Sequence, residues 1–524
     1  MVEGDQKPKE AVNVDEFLQH VGEFGRMQVY LQIMFFLLII PSTYQKFIGT
    51  FVGSNPPWQC TGIHRECNTT GVIYEIGDPM YNKRCDLQNR SSWEFTKPKK
   101  YSIVTEWDLI CDKKELSYLA NSAVYIGMAV GAFVLMALSD RFGRKKVLFP
   151  SVAGILVSGF ISAFVQHFWL FFALRLVIGI FLAGISLSIF IVATELVGPN
   201  YRALSGSLIW FSFTFTLCLI GLQAWLLPDW RLLEMIISAP YIFVLGFWWC
   251  IPESVRWLRV NNKLDEAESV LQKVAKVNKR PKPSVKLSET EETTESGTYA
   301  DLFRPWKVCK SSLIQSYAWF VNGMVYYGIS MASDNLGGNM YRDFVLTSLV
   351  EIPANILVII LGNRYGRKPT TIWAMIFGAL SCGSVAFIPS DTNMPGYNWS
   401  RVALGMMGKL CITLSFNELY LWSVELHPTV VRSQGMGVLQ ITSRLGAASA
   451  PWVAQWLRHF HTSLPFILMG GLTATAAFLC FILKETKGMQ TAEVLEKTNT
   501  TQGKEIIEMD QVNHLETTAL KTDA

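Results

Sequence analysis

The chain has 524 residues, half of them hydrophobic and only 17% charged, which excludes an ordinary soluble globular protein. A net charge of +4, with the basic residues scattered through short loops, excludes a nucleic-acid partner. Residues 1–27 are polar and lack a short apolar core with a cleavage site, so no signal peptide is expected and the amino terminus is placed in the cytosol.

Runs of about 20 apolar residues cross the hydrocarbon core of a bilayer at about 1.5 Å per residue. Twelve such spans are predicted, at roughly 28–51, 116–138, 147–166, 169–193, 204–226, 230–251, 311–333, 341–361, 370–389, 400–422, 433–457 and 464–483. The expectation is an all-α membrane protein of twelve transmembrane helices. Its amino-terminal half is residues 28–251, its carboxyl-terminal half 311–483, and a polar tail covers 484–524.

The first long connection, about 52–115, holds Cys60, Cys67, Cys85 and Cys111 and two glycosylation sequons, at Asn68 and Asn89. Four cysteines in an oxidising compartment suggest two disulfides, with three connectivities open, so this segment is expected outside the cell and glycosylated. The six other cysteines lack metal-ligand spacing and read as small packing residues. No metal or cofactor is expected.

Lys and Arg concentrate in two short loops. Arg141, Arg144, Lys145 and Lys146 occupy 139–146, and Arg364, Arg367 and Lys368 occupy 362–369. The positive-inside rule puts both loops and both termini in the cytosol. The segment 252–310 is then a cytosolic connector. Within it 261–278 has Leu264, Ala267, Val270, Leu271 and Val274 on one helical face, whereas 279–297 is rich in Pro, Ser, Thr and Glu with little to bury.

The halves repeat. SDRFGRKK from Ser139 returns as GNRYGRKP from Gly362, an offset of 223. Arg175 and Gly179 match Arg401 and Gly405, Glu195 and Arg202 match Glu425 and Arg432, and Glu253 matches Glu485. Landmarks in one order at nearly one offset indicate an internal duplication. Duplicated transporters bind substrate between their halves near the midplane and open to each side by rocking. Asp140, Arg141, Arg144, Glu195, Arg202, Glu253, Arg367, Glu425, Arg432 and Glu485 therefore read as a cytosolic gate, pairing across helix ends on closure; static anchoring is the competing reading.

SDRFGRKK, GNRYGRK, IPESVRWL, WDLIC after the large loop, and ELHPTVVR resemble the major facilitator superfamily, and within it the organic cation, anion and zwitterion transporter family. The resemblance spans nearly the whole chain. It implies the major facilitator fold, two six-helix repeats, and polyspecific transport of small organic ions across the plasma membrane. Met136, where the family's motif has Gly, and Asn363, where the second copy loses an acid, depart from the pattern.

Intramembrane charge costs about 3 kcal/mol per residue on insertion scales and needs a partner or a wet cavity. Glu351 in span eight, Lys409 and Glu418 in span ten, and Arg444 in span eleven stand out, all in the carboxyl-terminal half. Lys409 and Glu418, nine residues apart, fall on opposite faces of one helix, so Lys409 reads as the partner of a neighbouring helix and Glu418 as part of the gate, though both stay candidates for the site. Trp319, Asn322 and Tyr326 share a face of span seven, and Tyr326, Tyr327, Phe416 and Asn417 resemble the family's pocket. The resemblance also makes Arg444 the anion and carnitine kind, whereas Asn355 stands where anion carriers have Lys. One reading gives Arg444 a substrate carboxylate and Glu351 an ammonium group; the other has Arg444 and Glu351 neutralise each other.

No H-E-x-x-H, G-x-S-x-G or P-loop is present, so an enzyme is not expected. The expected activity is alternating-access transport of zwitterions or organic anions. A cation carrier is the alternative, and a receptor or scaffold a more distant one. A coupling ion or exchanged counter-substrate stays open.

Overall fold

The computed structural model describes residues 11–61, 71–75, 80–87, 90–281, 286–288, 299–304, 306–332, 336, 339–389, 395–428 and 431–487. Cys67, Asn68 and Asn89 lie outside the described residues. Backbone groups in lipid must be satisfied within their own segment, so the spans are helices. Eight are long and apolar enough to cross a membrane: Arg26–Val52, Cys111–Phe142, Arg144–Phe164, Phe168–Glu195, Pro199–Leu226, Trp230–Trp249, Met340–Tyr365 and Gly396–Leu426. Leu464–Cys480 is a shorter apolar helix. The seventh, ninth and eleventh spans, Trp306–Met331, Arg367–Val385 and Arg432–Pro451, are long enough but less apolar. For the seventh and eleventh the reason is visible in what they carry, polar and aromatic side chains in the seventh and Arg, Ser, Thr, Gln and Gly in the eleventh.

The halves pack alike. Span two lies against span four and span three against six, as span eight lies against ten and nine against twelve. Spans two and four touch backbone to backbone: a Cβ on Gly127 would meet the Leu176 carbonyl, and one on Gly179 the Val124 carbonyl. The halves meet through spans two and eleven and spans five and eight.

The described residues between 53 and 113 cap one face of the bundle. Their three-stranded sheet, Ile73–Tyr74, Trp58–Cys60 and Trp93–Phe95, encloses Trp58, Tyr81 and Trp93. Cys85 is bonded to Cys111, and Cys60 is also disulfide-bonded. Glu106 ties this loop domain to the first half, accepting from Arg231 Nη2 at 2.6 Å and Trp230 Nε1 at 2.8 Å. The opposite face carries the connector. Its helix, Leu264–Val277, buries Ala267, Leu271 and Val274. Asn278 bonds the Met27 amide and the Val21 carbonyl, and a two-residue strand, Lys286–Leu287, pairs with Ala11–Val12, so the connector is fastened to the first half.

Contacts between the halves gather toward the loop face. Ser122 donates to the Ala448 carbonyl at 2.6 Å, Trp452 donates to Ser122 at 3.1 Å, and Phe51 stacks on Tyr341 with centroids 5.7 Å apart. The Tyr101 and Tyr341 hydroxyls lie 3.4 Å apart. Every described ion pair at the connector face joins residues of one half or ties the first half to its own amino-terminal segment. Cysteines at Ser122 and Ala448 should therefore cross-link on mild oxidation. After proteolysis of the connector the halves should co-migrate on a non-reducing gel and part on reduction; halves that part without reductant would contradict this closure.

Candidate functional site

Two buried ion pairs and one uncompensated pair of cations organise the membrane interior. In the second half Glu351 is buried at the start of the second segment of span eight. Its carboxylate accepts from the Tyr326 hydroxyl at 2.6 Å and from Thr214 of the first half at 3.2 Å, and lies 3.4 Å from the Lys409 ammonium. Lys409 also donates to the Tyr326 carbonyl at 3.0 Å and Ser330 at 2.6 Å. Glu351 therefore pairs with Lys409 and not with Arg444, which corrects both expected roles for Glu351. The partner was decided by helix rotation, which the sequence does not display.

The expectation that intramembrane charges belong to the second half is also corrected. Arg175 and Glu234 are buried in the first half with 3.6 Å between them, Arg175 donating to Gln45 Oε1 at 3.0 Å. Lys46 is 8% exposed, donates to Ser186 at 3.0 Å, and sits 5.7 Å from the centre of the Phe213 ring. The lone Lys inside an apolar first span, in STYQKF, was the signal that the sequence reading passed over.

Arg444, half-buried, donates to the Tyr327 hydroxyl at 3.3 Å. Tyr327 stacks on Phe47 at 5.3 Å and tilts against Tyr125 at 4.7 Å, and the Tyr125 hydroxyl donates to the Lys46 carbonyl at 2.8 Å. Lys46 and Arg444 are thus linked across the interface between the halves through Tyr125 and Tyr327. Among the described residues no carboxylate forms an ion pair with either. Tyr420, bonded to Gln440 at 2.8 Å, approaches Trp210 of the first half and continues the aromatic wall with Phe416.

Other predicted site residues are placed differently. Asn322 is fully buried and spent on the Ala318 carbonyl and the Ser415 hydroxyl, and Trp319 is fully buried on Ser423, so both support the wall from behind instead of lining it. Asn417 donates to Asn355 at 2.6 Å. Lys409 is sequestered in its pair. Glu418 leaves the substrate set altogether, 3.2 Å from Arg367 toward the connector face.

The duplicated charges at that face form two copies of one local frame. Gly143 and Gly366 sit at φ 108° and 104°, where a side chain is disfavoured, and turn the chain between spans two and three and between eight and nine. The amides that open the following helix are then capped: Glu253 accepts from the Arg144 amide at 2.8 Å, and Glu485 from the Arg367 and Lys368 amides at 3.0 Å each. Glu195 accepts from the Ser254 hydroxyl and Glu425 from Thr486. Arg144 pairs with Asp140 at 2.7 Å and Arg367 with Glu425 at 3.2 Å. Arg202 pairs with Asp15, which also holds Arg256; Arg141 lies over the Phe142 ring; and Arg432 donates to the His427 carbonyl. In this conformation the described charges at that face pair within each half, because each glutamate is nearer to the open helix start of its own half.

The comparisons with known proteins agree with this architecture. Residues 70–497 match the family described as sugar (and other) transporter. Curated relatives include an organic cation transporter protein of Drosophila melanogaster (31% identical, covering 92% of this chain and 94% of that protein). Human solute carrier family 22 member 13 is 30% identical over 92% of each chain. The chain belongs to solute carrier family 22. The human organic cation/carnitine transporter 2, another relative, is 30% identical over 92% of this chain and 93% of its own. Among solved structures, the inward-open xylose transporter XylE from E. coli shares the fold, with a TM-score of 0.63 at 14% identity, covering 88% of this chain and 98% of that one. The protein is a multi-pass major facilitator transporter, not an enzyme.

Removing one member of a buried pair leaves an uncompensated charge, at a cost of about 3–5 kcal/mol. Lys409→Met should therefore lower folded yield sharply, and Glu351→Gln combined with Lys409→Met should restore it in a fluorescence size-exclusion assay; equal yields for single and double variants would break the assigned pairing. Glu485 makes a separate prediction. Burial raises its pKa, but bonds from the Lys487, Arg367, Lys368 and Thr486 amides outweigh this and hold it below its ordinary 4.5. The stabilised form is the carboxylate, so its contribution is full above pH 4.5 and is lost as pH falls through the depressed value. Glu485→Gln should cost about 1 kcal/mol of stability at pH 7, as for other lost caps, read as a lower melting temperature, with the gap to wild type closing in acid.

Proposed function

We propose that the protein carries small organic anions, carboxylates foremost, by alternating access across the plasma membrane, with its termini and connector in the cytosol. The observation that carries this reading is that Lys46 and Arg444, on opposite halves and linked through Tyr125 and Tyr327, form no ion pair with a carboxylate among the described residues. An organic cation would meet net positive charge there. A zwitterion would have its carboxylate satisfied, but the acid expected to take its ammonium, Glu351, is already spent on Lys409. Tyr327, Tyr125, Phe47 and Phe416 offer ring faces to the organic part of the solute, and these also leave room for a quaternary ammonium group as in carnitine-like molecules.

Orientation rests on the Arg and Lys of 139–146 and 362–369, which favour the cytosolic side, and on the disulfide-bonded loop domain, which favours the outside. The paired cations also bear on the transport mode. An empty carrier holding two unbalanced charges is costly to occlude, so its return is assisted by a second anion, which favours exchange over uniport.

Uptake of a labelled aromatic monocarboxylate, carnitine and tetraethylammonium into expressing cells tests the reading. Losing a charge-assisted contact is worth about 1.5–3 kcal/mol, so Arg444→Ala and Lys46→Gln should each raise the KM for carboxylate about 10–100-fold. Arg444→Lys should restore part of it, since the charge stays and the fork is lost. Preloading with unlabelled carboxylate should accelerate uptake. Unchanged carboxylate uptake by well-expressed Arg444→Ala, or transport of tetraethylammonium alone, would overturn the assignment.

A further inference from the structure

The internal duplication provides a control for a feature found in only one half. At the connector face, between the end of span eight, the start of span nine and the end of span twelve, lies a groove of about 290 Å³ lined by Tyr365, Lys368, Ile372, Trp373, Phe481 and Glu485. The matching position in the first half is filled. There Lys145, the counterpart of Lys368, lies 4.8 Å from the centre of the Trp248 ring, and that ring packs edge-on against Phe149, the counterpart of Ile372. By the offset of 232 that relates Glu253 to Glu485, Trp248 corresponds to Cys480. A small buried thiol in place of an indole leaves the second copy open.

The rim of the open groove is positive. The Lys368 ammonium donates to the Phe481 carbonyl at 2.8 Å, Lys487 reaches the Arg364 carbonyl at 2.9 Å, and Arg364 and Lys487 are otherwise exposed. Glu485, held by the amides that open span nine and by those of Thr486 and Lys487, sets one negative charge against these three cations, so the rim stays net positive. Away from the rim the groove continues into an exposed apolar ridge on the outer surface of the bundle. Trp373 is 58% and Phe377 55% exposed along span nine, and Phe478 and Phe481 are exposed alongside on span twelve. Cations at the helix ends above an aromatic track running to membrane depth match one class of molecule, with a phosphate at one end and an acyl chain at the other.

We propose that this groove binds one anionic phospholipid, its phosphate held by Lys368, Arg364 and Lys487 and an acyl chain laid along Trp373, Phe377 and Phe481. The site lies apart from the Lys46 and Arg444 centre and does not depend on what that centre carries. Because the first-half copy is filled by Trp248 and Phe149, the binding is asymmetric and only one lipid per chain is held this way.

The full-length protein, purified in detergent and equilibrated with mixed micelles of phosphatidylcholine and phosphatidylglycerol, tests the proposal by native mass spectrometry. One phosphatidylglycerol should be retained in preference to phosphatidylcholine. Arg364→Gln with Lys368→Gln should weaken its retention about tenfold, the scale of a lost charge-assisted contact. Trp373→Ala should also weaken it, and inorganic phosphate alone should not displace it. Equal retention of both lipids, undiminished retention in the double Gln variant of normal melting temperature, or displacement by phosphate would each overturn the proposal.

Discussion

A charge inside a bilayer must be compensated, and the interior of this protein is arranged around how each one is. Glu351 and Lys409 answer one another, as do Arg175 and Glu234, and Arg367 answers Glu418. Each pair links helices of one half, so a half moves as a body without exposing a bare charge to lipid. What is left over is a pair of cations. Lys46 and Arg444 come from opposite halves and have no ion-pair partner among the described residues, and in the proposed reading a bound anion supplies that compensation. Thr214 adds a single hydrogen bond from the first half to Glu351, a contact weak enough to break when the halves rock.

The same economy explains the connector face. Two helix starts, after Gly143 and Gly366, would present open amides, and each half closes its own with a glutamate delivered from its sixth helix. The arginines of the repeated motif are then held by acids of the same half. In this conformation the contacts between the halves gather at the loop face, and among the described residues the ion pairs of the charged frames stiffen each half. The amino-terminal segment adds to the first frame through Asp15, which holds Arg202 and Arg256 together.

Much of the fold was legible in the sequence. The twelve spans, the amphipathic connector helix, the cysteine-bearing loop and the duplication all follow from local composition, length or repetition. Parts of the candidate site were singled out too: Arg444 bonds Tyr327, and Phe416 packs against Tyr420. Lys46 was missed although the same rule that flagged Arg444 applied to it. Trp319 and Asn322 were misplaced because a shared helical face says which residues point together and not whether they point into a cavity or into packing; here Ser423 and Ser415 take up their polar atoms.

The sequence by itself determined how many helices there are, where the chain turns between them, and that the two halves are copies, because a bilayer imposes helix length and backbone satisfaction segment by segment and a repeat is visible residue by residue. Only the tertiary structure decided which charge meets which. Partners such as Glu351 and Lys409 sit on different helices, and their meeting depends on how each helix is rotated and how closely the small residues let the backbones approach. Those are properties of the packed bundle, and they are what turned four suspected intramembrane charges into one neutral pair, one anchor and one cation waiting opposite Lys46.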